Sequence, residues 1–268
     1  MSLKGRVLIV AGSDSGGGAG IQADIKTVTA LRGFAMTAVT ALTAQNTLGV
    51  FGVVGIEPAF IAEQMRVVLD DIGADAIKTG MLHNSAVIEA VCRVIEEKAP
   101  DLPLVVDPVM FAKGGHALLE PEAMTVLRER LLPLATVVTP NIPEAESLTG
   151  LTIASVGDMA AAAEQLGKMG TASVLIKGGH LAGDTLTDFL YDNGGVNRWD
   201  DSRIKTPHTH GTGCTLASAI ATGLAQGLSL DNAVDRARSY VRLAILRAPG
   251  FGHGHGPLDH GHTIETSV

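Results

Sequence analysis

The stretch Arg6-Val7-Leu8-Ile9-Val10-Ala11-Gly12-Ser13-Asp14-Ser15-Gly16-Gly17-Gly18-Ala19-Gly20-Ile21-Gln22-Ala23-Asp24 decides the fold class. Arg6 to Ala11 reads as a buried strand, Gly12 to Gly17 as a glycine turn, and a helical pattern opens at Gly18 and runs to Arg32. The alternation continues along the chain. Further strands are expected at Thr37 to Leu42, Ala76 to Thr79, Pro103 to Val106, Thr136 to Val138 and Ser173 to Ile176. Leu186 to Tyr191 and Gly195 to Trp199 form a hairpin pair around Asp192-Asn193-Gly194, because Asn-Gly favours the primed turns that match strand twist. Helices are expected at Pro58 to Asp71, Ser85 to Lys98, Pro121 to Leu132, Val156 to Met169, Thr212 to Gln226 and Leu230 to Ala248. Short apolar strands alternating with helices specify an α/β fold with a mostly parallel sheet covered on both faces. No linker, charge run or repeat divides residues 1–268, which read as one domain.

Composition narrows the function. The 268 residues carry 20 Lys and Arg against 28 Asp and Glu, a net charge of −8, and no basic block offers a footprint for nucleic acid. No apolar run reaches the ~18–20 residues that span a bilayer. Met1 to Arg6 runs straight into a strand without the phases of a signal peptide, and Cys92 and Cys214 are the only cysteines. A soluble protein of the reducing cytoplasm is expected. An acidic chain that handles phosphates must gather positive potential locally, at helix N-termini, lysines or a metal ion.

The strongest chemical signal is His210-Gly211-Thr212-Gly213-Cys214-Thr215, leading into a small-residue helix. Glycines at a helix start expose backbone N–H groups at the positive end of the dipole, where a transferring phosphoryl group gathers charge. Cys214 falls in the first turn, where a thiol pKa is expected to drop from ~8.5 toward neutrality, fitting it to take a proton from an attacking hydroxyl. The same pattern also reads as a tight turn with cysteine as core filler.

Gly18, Gly20 and Ala23 match a dinucleotide fingerprint, but the acidic residue needed ~20 positions on is missing, since no carboxylate follows Asp24 until Glu57. A P-loop is absent as well, because Met169 follows the only Gly-Lys step, Gly167-Lys168. Three strand ends bring further chemistry to the usual place of α/β ligand clefts. Asp107 follows one strand, Asn141 and Glu144 follow another, and Lys177 precedes Gly178-Gly179-His180. Separately these read as a turn residue, a helix cap and a surface charge; together they supply carboxylates for Mg²⁺ and a lysine for phosphates.

With these residues assembled, the chain resembles the hydroxymethylpyrimidine and phosphomethylpyrimidine kinases, a branch of the ribokinase-like superfamily. The resemblance runs through Ala11 to Lys26, Thr40 to Thr47, Gly80-Met81-Leu82, Asp107 to Lys113, Thr139 to Glu144, Lys177 to His180 and Thr209 to Leu216. It implies a three-layer α/β/α fold with a small flap, ATP and Mg²⁺ as co-substrates, and a homodimer. It further implies Cys214 as base beside the anion-binding Gly211 and Gly213, and a pyrimidine pocket of Gln45, Gly12, Ala19, Asp24 and Met81. Lys177, Asn141 and Thr209 fall to the nucleotide, and Asp107 and Glu144 to the metal and phosphate region. Departures are His208, Ala217 and the flap Ala112-Lys113-Gly114-Gly115. The nearest rival, a cysteine-type pyridoxal kinase, carries a flap cysteine that is absent here. The tail from Phe251 to His262, rich in Gly and His, reads as a surface segment near the cleft, and Cys92, His83 and His116 as structural residues.

Overall fold

The computed structural model describes residues 4–111, 118–192 and 194–264. The flap stretch 112–115, His116 and Asn193 of the hairpin turn lie outside these residues. Among the described residues, β1 (Arg6–Asp14), β2 (Phe34–Asn46), β3 (Gly49–Gly55), β4 (Ala76–Thr79), β5 (Leu104–Val106), β6 (Val137–Val138), β7 (Ser173–Lys177), β8 (Thr185–Asp192) and β9 (Gly195–Ser202) form one sheet. Its order is β3-β2-β1-β4-β5-β6-β7-β8-β9, with β3, β8 and β9 antiparallel to their neighbours and the rest parallel.

Strand alternation builds the two cores. Val7, Ile9 and Ala11 of β1 pack under α1 (Gly20–Ala30), α7 (Thr212–Ala225) and α8 (Leu230–Leu246). Leu8 and Val10 face α2 (Pro58–Asp71), α3 (Ser85–Lys98), α5 (Ile142–Thr149) and α6 (Val156–Lys168). The result is the expected three-layer α/β/α architecture.

Several boundaries move for physical reasons. α1 begins at Gly20 rather than Gly18, because the N–H groups of Gly18 and Ala19 are taken by the Asp14 carboxylate. The expected helix Pro121 to Leu132 is a short α4 (Ala123–Val126), a π-turn (Leu127–Leu131) and a 3₁₀ turn (Leu132–Leu134) that ends around Pro133, which has no N–H to donate. α5 was not expected as a helix. Its start is a capping box, with Glu144 N donating to Asn141 Oδ1 at 3.0 Å and Asn141 N to Glu144 Oε2 at 2.8 Å. β3 was also missed, since its three glycines weaken the strand signal.

Crossing the sheet edge-on, β1 connects to β2 on one side and neighbours β4 on the other. All three strands run parallel, but the order in which strands are added reverses at β1, and a crevice opens there beyond the strand ends. A buried ion pair locks the elements around it. Lys78 on β4 and Asp24 on α1 are 0% exposed, with Lys78 Nζ 3.0 and 2.9 Å from the two Asp24 oxygens. Ser218 Oγ on α7 donates to Asp24 Oδ1 at 2.6 Å. Burial works to neutralise the ammonium, but Asp24, Cys214 and Asp107 outweigh it and hold the Lys78 pKa above the ordinary lysine range.

Removing one partner of such a pair leaves an uncompensated buried charge. Lys78→Met should cost about 3–5 kcal/mol of unfolding free energy, and adding Asp24→Asn should recover most of it. Urea denaturation measures both; equal losses in the single and double variants would show that the charges are not coupled.

Candidate active site

A cleft of about 820 Å³ lies at the strand ends. One end is built from the glycine turn after β1, the end of β2 and the segment after β4. Gly12 and Met81 meet here: a Cβ on Gly12 would sit 3.0 Å from Met81 Sδ, so a side chain at Gly12 would crowd the thioether. Ala19 lines the same wall and donates its N–H to Asp14 Oδ2 at 2.8 Å. Gln45 reaches this end from β2, where the pairing with β3 shifts register between Ala44 and Gln45. Such irregularities re-aim side chains, which suits a strand that projects past its parallel neighbours.

The N-terminus of α7 forms the middle of the cleft. Gly211, its N-cap, has φ 81°, a left-handed conformation that costs glycine little. A Cβ there would collide with the carbonyl oxygen of Gly18, so only glycine lets the helix start approach the glycine turn this closely. On its other side, a Cβ at Gly213 would lie 3.2 Å from Lys177 Nζ and 3.4 Å from Asp107 Oδ2. The positive helix end thus stands between the glycine turn and the lysine–carboxylate group.

The other end holds Lys177, Asp107, Asn141 and Glu144, with Thr209 on the approach to α7. Lys177 Nζ pairs with Asp107 Oδ1 at 2.9 Å, the two side chains being 14% and 3% exposed. Burial opposes the Lys177 charge, yet Asp107 and Glu144 raise its pKa above the ordinary value, so it stays cationic. Glu144 is 4% exposed; burial raises its pKa, Lys177 counters, and Asp107 adds to the rise. Both Asn141 and Glu144 are therefore cap residues that also line the cleft. Among the described residues no group of three or more His, Cys, Asp or Glu side chains could hold a metal ion by itself. Two carboxylates beside Lys177 nonetheless fit Mg²⁺, which takes one or two carboxylates and completes its shell with phosphate and water.

Two expectations need correction. Asp24 does not line the cleft: both of its oxygens are taken up by Lys78 and one also by Ser218, and its partner Lys78 borders the cleft in its place. The Cys214 thiol is not shifted toward neutrality. Burial pushes it up to about 12, with Asp24 and Asp107 adding to the rise and Lys78 opposing it. Helix position alone is outweighed by desolvation and two nearby carboxylates.

Three further residues shape the site, though the sequence assigns them no role. Lys78 was signalled only by a charge inside the apolar run Ala76 to Thr79. Asp14, inside the glycine run, accepts N–H bonds from Gly16, Gly18 and Ala19 and shapes that turn. His210 contacts Asp14 at 2.8 Å. The Gly-His tail crosses the site as well: His255 lines the cleft, and its N–H donates to Thr47 O at 2.9 Å.

The phosphomethylpyrimidine kinase family model matches residues 14–259. A hydroxymethylpyrimidine/phosphomethylpyrimidine kinase of Bacillus subtilis is 50% identical over 256 residues, covering 95% of this chain and 94% of the relative. The thiamine biosynthesis bifunctional protein ThiED of Geobacter sulfurreducens is 52% identical over 257 residues and covers 96% of this chain, which spans about half (52%) of that relative's length. Among solved structures, an ADP complex of Bacillus subtilis pyridoxal kinase superposes with a TM-score of 0.89 at 39% identity, over 96% of this chain and 97% of that one. The match takes in the glycine turn, the strand-end carboxylates and the α7 N-terminus alike, and the chain belongs to the phosphomethylpyrimidine kinase family.

Proposed function

We propose that this chain transfers the γ-phosphoryl group of ATP to 4-amino-5-hydroxymethyl-2-methylpyrimidine and then to the resulting monophosphate, on the route to thiamine. The observation that carries this reading is the placement of the α7 N-terminus, in touch with Gly18 on the acceptor side and with Lys177 and Asp107 on the donor side. Gln45, with Gly12, Ala19 and Met81, takes the pyrimidine, a carboxamide being able to donate and accept at once. Lys177, Asn141 and Thr209 take the nucleotide. The N–H groups of Gly211 to Cys214 stabilise the charge on the moving phosphoryl group. Asp107 and Glu144 would hold Mg²⁺, which neutralises phosphate charge when bound.

Cys214 acts as the base of the first transfer. A thiol titrating near 12 is almost wholly protonated at neutral pH, so the competent thiolate is a minor state that grows tenfold per pH unit. In a loose transition state the hydroxyl gives up its proton late, so a strong, rarely free base suffices. The second acceptor is a phosphate oxygen already largely ionised and asks little of a base.

A homodimer accords with the outer side of β3, where Phe51 and Val54 are 71% and 64% exposed; a monomer in sedimentation equilibrium would remove it. A reducing cytoplasm accords with two free cysteines. The likeness to pyridoxal kinase makes pyridoxal the second compound to assay. Incubation of the purified protein with ATP, Mg²⁺ and a panel of hydroxymethyl heteroaromatics tests the reading. Pyrimidine monophosphate should rise and give way to diphosphate, and turnover of pyridoxal alone would replace this function.

Cys214→Ala should lower the first transfer by ~10²–10⁴ and the second far less. In the unmodified enzyme the first-step rate should climb with pH from 6 to 9, and the alanine variant should lose that slope. A flat profile in the unmodified enzyme would return Cys214 to a packing role.

Glu144→Gln keeps an acceptor for the Asn141 N–H, so the cap should survive, while the Mg²⁺ concentration for half-maximal rate should rise severalfold. An unchanged Mg²⁺ requirement would remove Glu144 from the metal site.

A further inference from the structure

Asp14 Oδ2 lies 2.8 Å from His210 Nε2 while the carboxylate also accepts three backbone N–H bonds. Burial would raise the Asp14 pKa, but His210 and the backbone N–H groups outweigh it and hold the carboxyl below its ordinary range. An ionised carboxylate only accepts, so the contact requires a proton on His210 Nε2. The imidazole is held in place: His210 is 8% exposed, its backbone N–H donates to Gly256 O at 3.1 Å, and it forms a bridge with Pro257.

The Gln45 amide nitrogen stands 3.4 Å from that same Nε2, so two N–H donors face each other. At its other end, Gln45 Oε1 lies 3.2 Å from Thr43 Oγ1. Thr43 has one hydroxyl proton and a better use for it, the Ser13 carbonyl at 2.9 Å, which leaves two acceptors face to face. A half-turn of the carboxamide removes both mismatches at once. The oxygen then faces His210 Nε2–H as a second, longer acceptor of the proton whose first acceptor is Asp14, and the NH₂ group donates to the Thr43 hydroxyl.

We propose that Asp14 and His210, with Thr43, hold the Gln45 amide in this half-turned orientation, which makes His210 a positioning residue for the choice of heteroaromatic substrate. This rests on the proposed function, in which Gln45 meets the ring. A freely turning glutamine suits either of two ring edges. An amino group beside a ring nitrogen offers a donor and an acceptor; an oxo group beside a ring N–H offers the reverse. A fixed amide pairs with one edge and leaves polar groups unpaired against the other, a discrimination of roughly 10–100-fold.

The test measures kcat and KM for 4-amino-5-hydroxymethyl-2-methylpyrimidine and its 4-oxo analogue in the unmodified enzyme, His210→Leu and Thr43→Val. The unmodified enzyme should favour the amino compound by roughly tenfold or more in kcat/KM. His210→Leu should bring that ratio to within about threefold of unity, with the change carried in KM, and Thr43→Val should move it part of the way. The ratio does not depend on the fraction of protein folded, so a destabilised His210 variant still reports. A preference that survives both substitutions, or an unmodified enzyme that uses both compounds equally, overturns the proposal while the kinase reading stands. An unmodified enzyme that phosphorylates neither pyrimidine ends both.

Discussion

The buried pair of Lys78 and Asp24 sets the terms for the rest of the site. Two charges with no solvent exposure can persist only if each is met by the other and by further polar partners. Ser218 supplies the third contact from α7, so β4, α1 and α7 are joined by one buried polar cluster. Ser218 lies four residues beyond Cys214, on the same face of the helix. Holding Ser218 therefore holds the thiol above it and the N–H groups of the first turn. Gly80 belongs to the same arrangement, because a Cβ there would come 3.0 Å from Lys78 Nζ.

That cluster also governs the chemistry of Cys214. Lys78 favours the thiolate, while Asp24 and Asp107 oppose it and burial opposes it most. As the proposed base, Cys214 would thus be strong and seldom free, which would separate the two proposed transfers by their acceptors: a hydroxyl has to lose a proton and a phosphate does not. The chain as a whole is acidic, at −8, so the proposed anion binding would have to rest on local positive potential. Lys78, Lys177 and the α7 dipole converge on one cleft, and Asp107 keeps Lys177 aimed at the place where phosphate charge would develop.

Much of this was legible in the residues. The alternation of short apolar strands with helices is a local pattern, and α2 and α3 fall where their periodicity puts them. Gly211 and Gly213 announced a helix start that tolerates close approach, and at Gly211 only glycine leaves room beside the Gly18 carbonyl. Where local signals were weak or mixed, the reading fell short. Glycine diluted β3, and Asn141 to Glu144 carried a cap signature without the long apolar periodicity that marks a helix.

Sequence alone determined the layers of the fold and the residue types gathered at the strand ends, because strand and helix periods are written over a few neighbouring residues. It could not tell which carboxylate would be consumed inside the protein. Asp24 pairs with a lysine 54 positions away, and Asp14 with a histidine 196 positions away. Nor could it tell the sign of the Cys214 shift, since desolvation and the field of distant charges act through space. Those decisions belong to the tertiary structure, where groups remote in the chain share one small volume of low dielectric.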